Sequence, residues 1–232
     1  MSYYANIYYI FQGEKMEQDI IIFDFDNTVI NSVGLWRKAI NYDVFKYYGA
    51  KSTAHFRNNH GAKSNLEMAE FFLDTTKINA TPAEVVRVWY DFMFVYYTKK
   101  AKLINGVVDY IKGLKEQGKK LVLASATGDA LLYPVLRELK LDSLFDTIVT
   151  ENEIGYSKRD PMFFAKLLKR LDATPEDVFL FEDSYYSIFS AASVRIQSCA
   201  VLGKFNKKHK NRLKEISLLV IKDYTDPKLK LL

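Results

Sequence analysis

Only one cysteine, Cys199, occurs among 232 residues, so no disulfide can close within the chain. A reducing, cytoplasmic compartment is therefore expected rather than an exported one. The thiol sits in "IQSCAVLG", which reads as a strand, and an inert buried sulfhydryl is expected there. Histidine is nearly as scarce, with three, and His209 has no cysteine or histidine at ligand spacing, which argues against a zinc site. No apolar run approaches the roughly 20 residues needed to span a bilayer, so no membrane association is expected. No period of about 20 to 50 residues repeats and no low-complexity tract appears, against solenoids and arrays. With 49% hydrophobic and 26% charged residues the chain is also outside the disordered class. The first residues, "MSYYANIYYIFQGEKME", lack a small-residue cleavage site after a long apolar region and make a poor secretory signal. Their "FQG" resembles the end of a protease-cleavable tag, so residues 1–17 are set aside as an N-terminal extension.

The net charge of +5 raises the question of a nucleic-acid partner. Much of the excess lies in "GKFNKKHKNRLK", residues 203–214, which reads most simply as a solvated helix or loop. A groove for nucleic acid would interleave stacking rings with the basic residues, and within this stretch only Phe205 qualifies. No nucleic-acid partner is expected on that reading.

What the chain does have is alternation. "DIIIFDF", "LVLASAT" (121–127), "TIVT" (147–150), "VFLFEDS" (178–184), "SCAVLG" (198–203) and "LLVIKDY" (218–224) read as strands. Between them "GVVDYIKGLKEQG", "DALLYPVLRELKL", "PMFFAKLLKRL" and "YYSIFSAASV" carry apolar residues at helical spacing. Strand–helix alternation of this kind predicts an α/β fold with a Rossmann-like parallel sheet. One segment breaks the rhythm, since residues 34–103 hold helical patterns and no convincing strand. Thr81 followed by Pro82 and Glu84 marks a helix start, and the helix after it is aromatic through Val85, Trp89, Phe92 and Tyr96. That stripe is either core packing or a substrate-stacking wall. The expected organisation is a core domain from residues 18–33 and 104–232 with an all-helical cap domain, 34–103, inserted into it.

Asp24 and Asp26 stand at the carboxyl end of the first apolar run. Buried charge is costly unless paired or bound to a cation, so two aspartates there point to a metal or a reacting group, although Asn27 or Thr28 could instead cap the next helix. Ligands of open α/β sheets bind beyond the carboxyl ends of the strands, so the polar residues at the other strand ends belong to the same set. These are Ser125 with Ala126, Lys158, and the pair Glu182 and Asp183. Four carboxylates, a hydroxyl and an ammonium suit a hard cation and a phosphate.

In this order "DFDNT", "LASAT", "SKRDP" and "FEDS" resemble the four motifs of the haloacid dehalogenase-like superfamily. The helical insertion resembles the cap of its branch containing β-phosphoglucomutase and phosphoglycolate phosphatase. The resemblance implies a Mg²⁺-dependent phosphatase of a small phosphate ester, with Asp24 as nucleophile and Asp26 as general acid and base. It implies Mg²⁺ on Asp24, Asp26, Asp183 and Glu182, and phosphate on Asn27, Ser125, Ala126 and Lys158. Asn27 stands where the family usually has glycine, a replacement Asn tolerates because it accepts unusual backbone angles. Arg57, His60 and Lys63 around Gly61 resemble the cap loop that selects substrate, and a solvated basic loop is the alternative. A sugar-phosphate mutase and a non-enzymatic binding protein on the same scaffold are the competing functions. A monomer or weak homodimer is expected.

Overall fold

Ile20, Ile21, Ile22 and Phe23 leave a strand no polar side to turn to water, and each is buried. The computed structural model describes residues 18–59 and 64–231. These four residues form β1 (Ile20–Phe23), followed by the two-residue strands β2 (Ile30–Asn31) and β3 (Lys102–Leu103), which bracket the helical segment. Next come β4 (Lys120–Ser125), β5 (Thr147–Thr150), β6 (Val178–Glu182), β7 (Gln197–Val201) and β8 (Leu219–Ile221). Six of them make one sheet in the order β5-β4-β1-β6-β7-β8, and every pairing is parallel. The expected strands are present, several ending earlier than the apolar pattern suggested because the polar residues at their carboxyl ends leave the ladder.

Alternate residues of the sheet bury against different layers. Ile20 and Ile22, with Val122, Ala124, Val178 and Leu180, pack on Phe163, Phe164, Leu167 and Leu171 of the helix Pro161–Leu171. That helix starts where it does because the Asp160 carboxylate accepts the Met162 N–H at 2.9 Å and proline occupies the first turn. Phe23 points the other way and stacks on Phe181 at 4.9 Å between ring centres, with Phe145 and Tyr224 about it. Each side chain so buried contributes roughly 1.5–3 kcal/mol. The core around β1 is thus apolar on both faces, and it ends abruptly at Asp24.

The chain divides into two compact units. The sheet unit runs to Asn31 and takes in Leu103–Asp129 and the chain from Lys140 onward; the other comprises Ser32–Lys102 with Ala130–Leu139. In the second unit, capping boxes at Ser64 with Glu67 and at Thr81 with Glu84 fix the starts of the helices Asn65–Thr76 and Pro82–Lys99. Its core gathers Phe45, Phe56, Phe72, Val85 and Trp89. Val85 and Trp89 are fully buried there and Phe92 packs against the same cluster, so this part of the aromatic stripe is core packing.

The re-entry to the sheet unit turns on Gly106, at φ +75°. A Cβ there would meet Thr225 Cγ2 at 2.9 Å and the Tyr224 carbonyl carbon at 3.2 Å. Both the backbone angle and the space demand glycine. Gly106→Ala should therefore lower unfolding stability by about 1–3 kcal/mol, read as a fall in the urea midpoint. An unchanged midpoint would refute this account of the turn.

Candidate active site

The register of the sheet builds the site. Phe23 lies level with Leu123 of β4 and with Phe181 of β6, so the next residue of each strand, Asp24, Ala124 and Glu182, shares one row. The Asp24 N–H extends the ladder by donating to the Phe181 carbonyl at 2.9 Å. Into this row comes the Lys158 ammonium, 2.7 Å from Asp24 Oδ1, 2.6 Å from Glu182 Oε2 and 2.9 Å from the Ala124 carbonyl. The Lys158 backbone is placed in turn, since its N–H donates to Glu151 Oε1 at 2.7 Å. All three charged side chains are out of water, with Asp24 5%, Lys158 2% and Glu182 1% exposed.

The electrostatics follow from that burial. Desolvation pushes the Asp24 carboxyl up to about 8, Glu182 and Asp26 adding to the rise and Lys158 opposing it. Burial alone would lower the Lys158 ammonium, but the carboxylates of Asp24 and Glu182 outweigh it and hold lysine above its ordinary value. Asp183 is raised well above the carboxylate range by burial and then by Glu182 and Asp24. There is more negative than positive charge here than the protein can comfortably ionise.

One carboxylate oxygen from each of Asp24, Glu182 and Asp183 lies within 4.8 Å of the others. Asp24 Oδ2 is buried without a hydrogen-bond partner, an unusual state for a carboxylate oxygen and one that a cation would relieve. An all-oxygen donor set with no His or Cys suits a hard divalent ion such as Mg²⁺. Glu182 is committed within the protein, its Oε1 accepting the N–H groups of Asp183 (3.0 Å) and Ser184 (2.9 Å).

Asn27 has φ +60°, the left-handed conformation its place in the motif requires. Its side-chain amide donates to Asp183 Oδ2 at 3.1 Å, and its backbone N–H is taken by the Ile30 carbonyl at 2.6 Å. Ser125 is fully buried at the end of β4, its hydroxyl oxygen accepting the Thr127 N–H at 3.0 Å, with Ala126 in the turn between them. Asp26 is half-buried, and Thr127 donates its hydroxyl to Asp26 Oδ2 at 2.7 Å. The capping alternative does not describe this loop. The helix Val33–Lys38 has Ser32 at its N-cap with no side-chain cap, and the buried Thr28 hydroxyl has no hydrogen-bond partner.

Arg57 lies in the other unit, where it donates to the carbonyl and hydroxyl of Ser52, both at 3.1 Å. His60 and Lys63 lie outside the described residues. Three further residues join the site with little warning from sequence. Thr127 and Glu151 hold Asp26 and Lys158 respectively, and the only available signal was their nearness to motif residues. Asn206 gave none, because it sits among lysines. It is nonetheless buried, and its amide donates to the Asp183 carbonyl at 2.8 Å and the Val201 carbonyl at 2.9 Å while its oxygen accepts the Gly203 N–H.

A family described as Haloacid dehalogenase-like hydrolase matches residues 21–201. A phosphorylated carbohydrates phosphatase of Thermotoga maritima is 25% identical over 179 residues, 77% of this chain and 82% of the relative. A pyrophosphatase, PpaX, of Bacillus mycoides is 24% identical over 189 residues, 80% of this chain and 84% of the relative. Among solved structures, the hydrolase YfnB of Bacillus subtilis bound to magnesium superposes with a TM-score of 0.70 at 16% identity, over 94% of this chain and 99% of that one.

The strained carboxyl makes a stability prediction. Between the ordinary carboxylate value and about 8, folded Asp24 holds a proton that the unfolded chain has lost, so rising pH costs the native state stability. Asparagine takes up no proton. In chelator-treated protein, the melting temperature of Asp24→Asn relative to the wild type should rise steadily from about pH 5 to about pH 8. A difference that stays flat or falls over that range would contradict the assignment of strain to this carboxyl.

Proposed function

This chain belongs to the haloacid dehalogenase-like hydrolases and is a phosphatase, and we propose that it hydrolyses a small phosphate ester through an aspartyl phosphate on Asp24. The observation that carries the reading is the buried row of Asp24, Lys158 and Glu182, closed by Asp183, at the carboxyl ends of β1 and β6. Lys158 holds Asp24 Oδ1 at 2.7 Å and so fixes the orientation of the carboxylate that attacks phosphorus. As the P–Oδ bond forms, the ester P–O bond breaks and the leaving oxygen takes a proton from Asp26. Water then attacks the same phosphorus, Asp26 recovers a proton from it, and Asp24 is released with inorganic phosphate. Thr127 keeps the Asp26 carboxyl in place for both transfers. The Ser125 hydroxyl and the N–H groups about Ala126, with the Lys158 ammonium, bind phosphoryl oxygens. The Asn27 amide contributes by fixing Asp183 through its side chain, since its own N–H is already engaged.

Mg²⁺, held by Asp24, the Asp26 carbonyl and Asp183 with Glu182 behind them, would neutralise the crowded carboxylates and the phosphoryl oxygens. The helical segment 34–103 serves as the cap that chooses the leaving group, with Arg57, His60 and Lys63 as its candidate contacts. On the same reading the enzyme is cytoplasmic, in keeping with its single buried thiol, Cys199, and acts as a monomer or weak homodimer.

Two measurements test this. Hydrolysis of an aryl phosphate should vanish with a chelator and return with Mg²⁺; activity that survives exhaustive metal removal would defeat the metal assignment. The two aspartates should also separate. Asp24→Asn should abolish turnover and the phosphoenzyme together. Asp26→Asn should slow an alkyl phosphate by about 10²–10⁴-fold, the usual worth of a general acid–base, yet still let an activated aryl phosphate label Asp24. Near-normal turnover by Asp24→Asn would refute the nucleophile assignment.

A further inference from the structure

The basic stretch 203–214 contains six Lys and Arg residues and no Asp or Glu, and its lysines at 204, 207, 208, 210 and 214 are all exposed. Within the stretch itself Phe205 is the sole aromatic ring besides His209. The fold supplies others. Leu213 of the helix Lys210–Ile216 packs on Ile188 of the helix Tyr185–Ser193, and this lays the basic stretch alongside a row of aromatic residues. His209 stacks on Tyr185 at 5.4 Å with the rings 14° apart and meets Tyr186 edge-on at 6.0 Å. Tyr185 continues to Phe189 at 6.2 Å. Guanidinium groups flank the row, Arg212 lying 5.5 Å from the Tyr185 ring and Arg159 5.7 Å from that of Tyr186.

This row is not buried: Tyr186 is 52% and Phe189 54% exposed, although the other large rings among the described residues of the sheet unit are largely withdrawn from water. Exposed rings beside a run of lysines that holds no Asp or Glu combine the two elements by which single strands are held: bases stack on the rings while ammonium groups meet the phosphates. The local field is positive enough to show on His209, whose imidazolium is disfavoured by burial and then by Lys208 and Arg212. An acidic protein would use the charge but would have no need of two half-exposed rings in line with it.

We infer that the surface formed by Tyr186, Phe189, His209 and the lysines of 207–210 binds single-stranded nucleic acid. The inference is independent of the phosphatase reading. The test is fluorescence anisotropy of a labelled oligothymidylate of about 15 nucleotides, a length matched to a short single-strand site. With about four phosphates neutralised, the affinity should fall roughly 50-fold between 50 and 200 mM salt. Tyr186→Ala with Phe189→Ala should weaken binding by about 10-fold or more while keeping the salt slope, since stacking is lost and charge is not. Lys207→Glu, Lys208→Glu and Lys210→Glu together should weaken it further and flatten the slope, with the Gln versions serving if the reversals misfold by circular dichroism. No binding at low salt, an aromatic double variant of unchanged affinity, or equal competition by duplex DNA or polyglutamate would each overturn the proposal; the last would mark a surface that reads charge alone.

Discussion

Everything at the site depends on one ammonium group taken out of water. Lys158 can remain charged in an apolar sheet only because Asp24, Glu182 and the Ala124 carbonyl all face it within 2.9 Å. A buried ion loses several kcal/mol of solvation, and removing a single partner would leave the remaining charges uncompensated. The same contacts tie the ends of β1, β4 and β6 to the chain after β5. Yet the charges do not balance. With Asp183 included, three carboxylates share one lysine, and burial with their mutual repulsion raises both Asp24 and Asp183 above the ordinary carboxylate range. A dication would relieve this crowding, so the excess of carboxylate charge fits the metal proposed for the site.

The placement of these groups is inherited from backbone geometry rather than from the side chains' own preferences. A parallel ladder fixes neighbouring residues in register, so once Ile20–Phe23 pairs with β4 and β6 the row containing Asp24 and Glu182 is determined. Hydrophobic burial sets the register, because a slip of one residue would turn Ile20 and Ile22 away from the helix Pro161–Leu171. Asn27 in the left-handed conformation then swings the chain so that its amide reaches Asp183 from the other side of the site. Apolar packing thus does the positioning, and the polar groups spend their hydrogen bonds on one another.

Much of this was legible in the sequence because its signals are local. Apolar runs that end in Asp, Ser or Glu reveal both a buried parallel strand and the level at which it stops. Four such endings in order carry the superfamily resemblance, and the helix starts at Thr81 and Pro161 announce themselves by capping chemistry. What was not legible depends on residues distant in the chain. Asn206 reads as one more polar residue in a basic stretch, and only the fold turns it inward to the Asp183 carbonyl. Tyr185 and His209 are ordinary until two helices are packed through Ile188 and Leu213. Periodicity identifies an element's faces, but it does not say which faces meet.

The segment after β7 joins these two kinds of information in a few residues. Asn206 faces inward and bonds the loop of Asp183, while Lys204, Lys207 and Lys208 on either side face outward. A buried row rich in carboxylates contributes a field that disfavours anions. Six basic side chains on the surface of the same unit oppose that repulsion, since the field an approaching anion feels is the sum over the whole charge distribution. Such a field is screened within about 10 Å at 0.1 M salt, so it acts on capture rather than on chemistry. One short segment thus carries exposed basic side chains on its outside and, through Asn206, a bond to the loop of the buried carboxylates on its inside, so charges of opposite sign are held apart by packing rather than by distance along the chain.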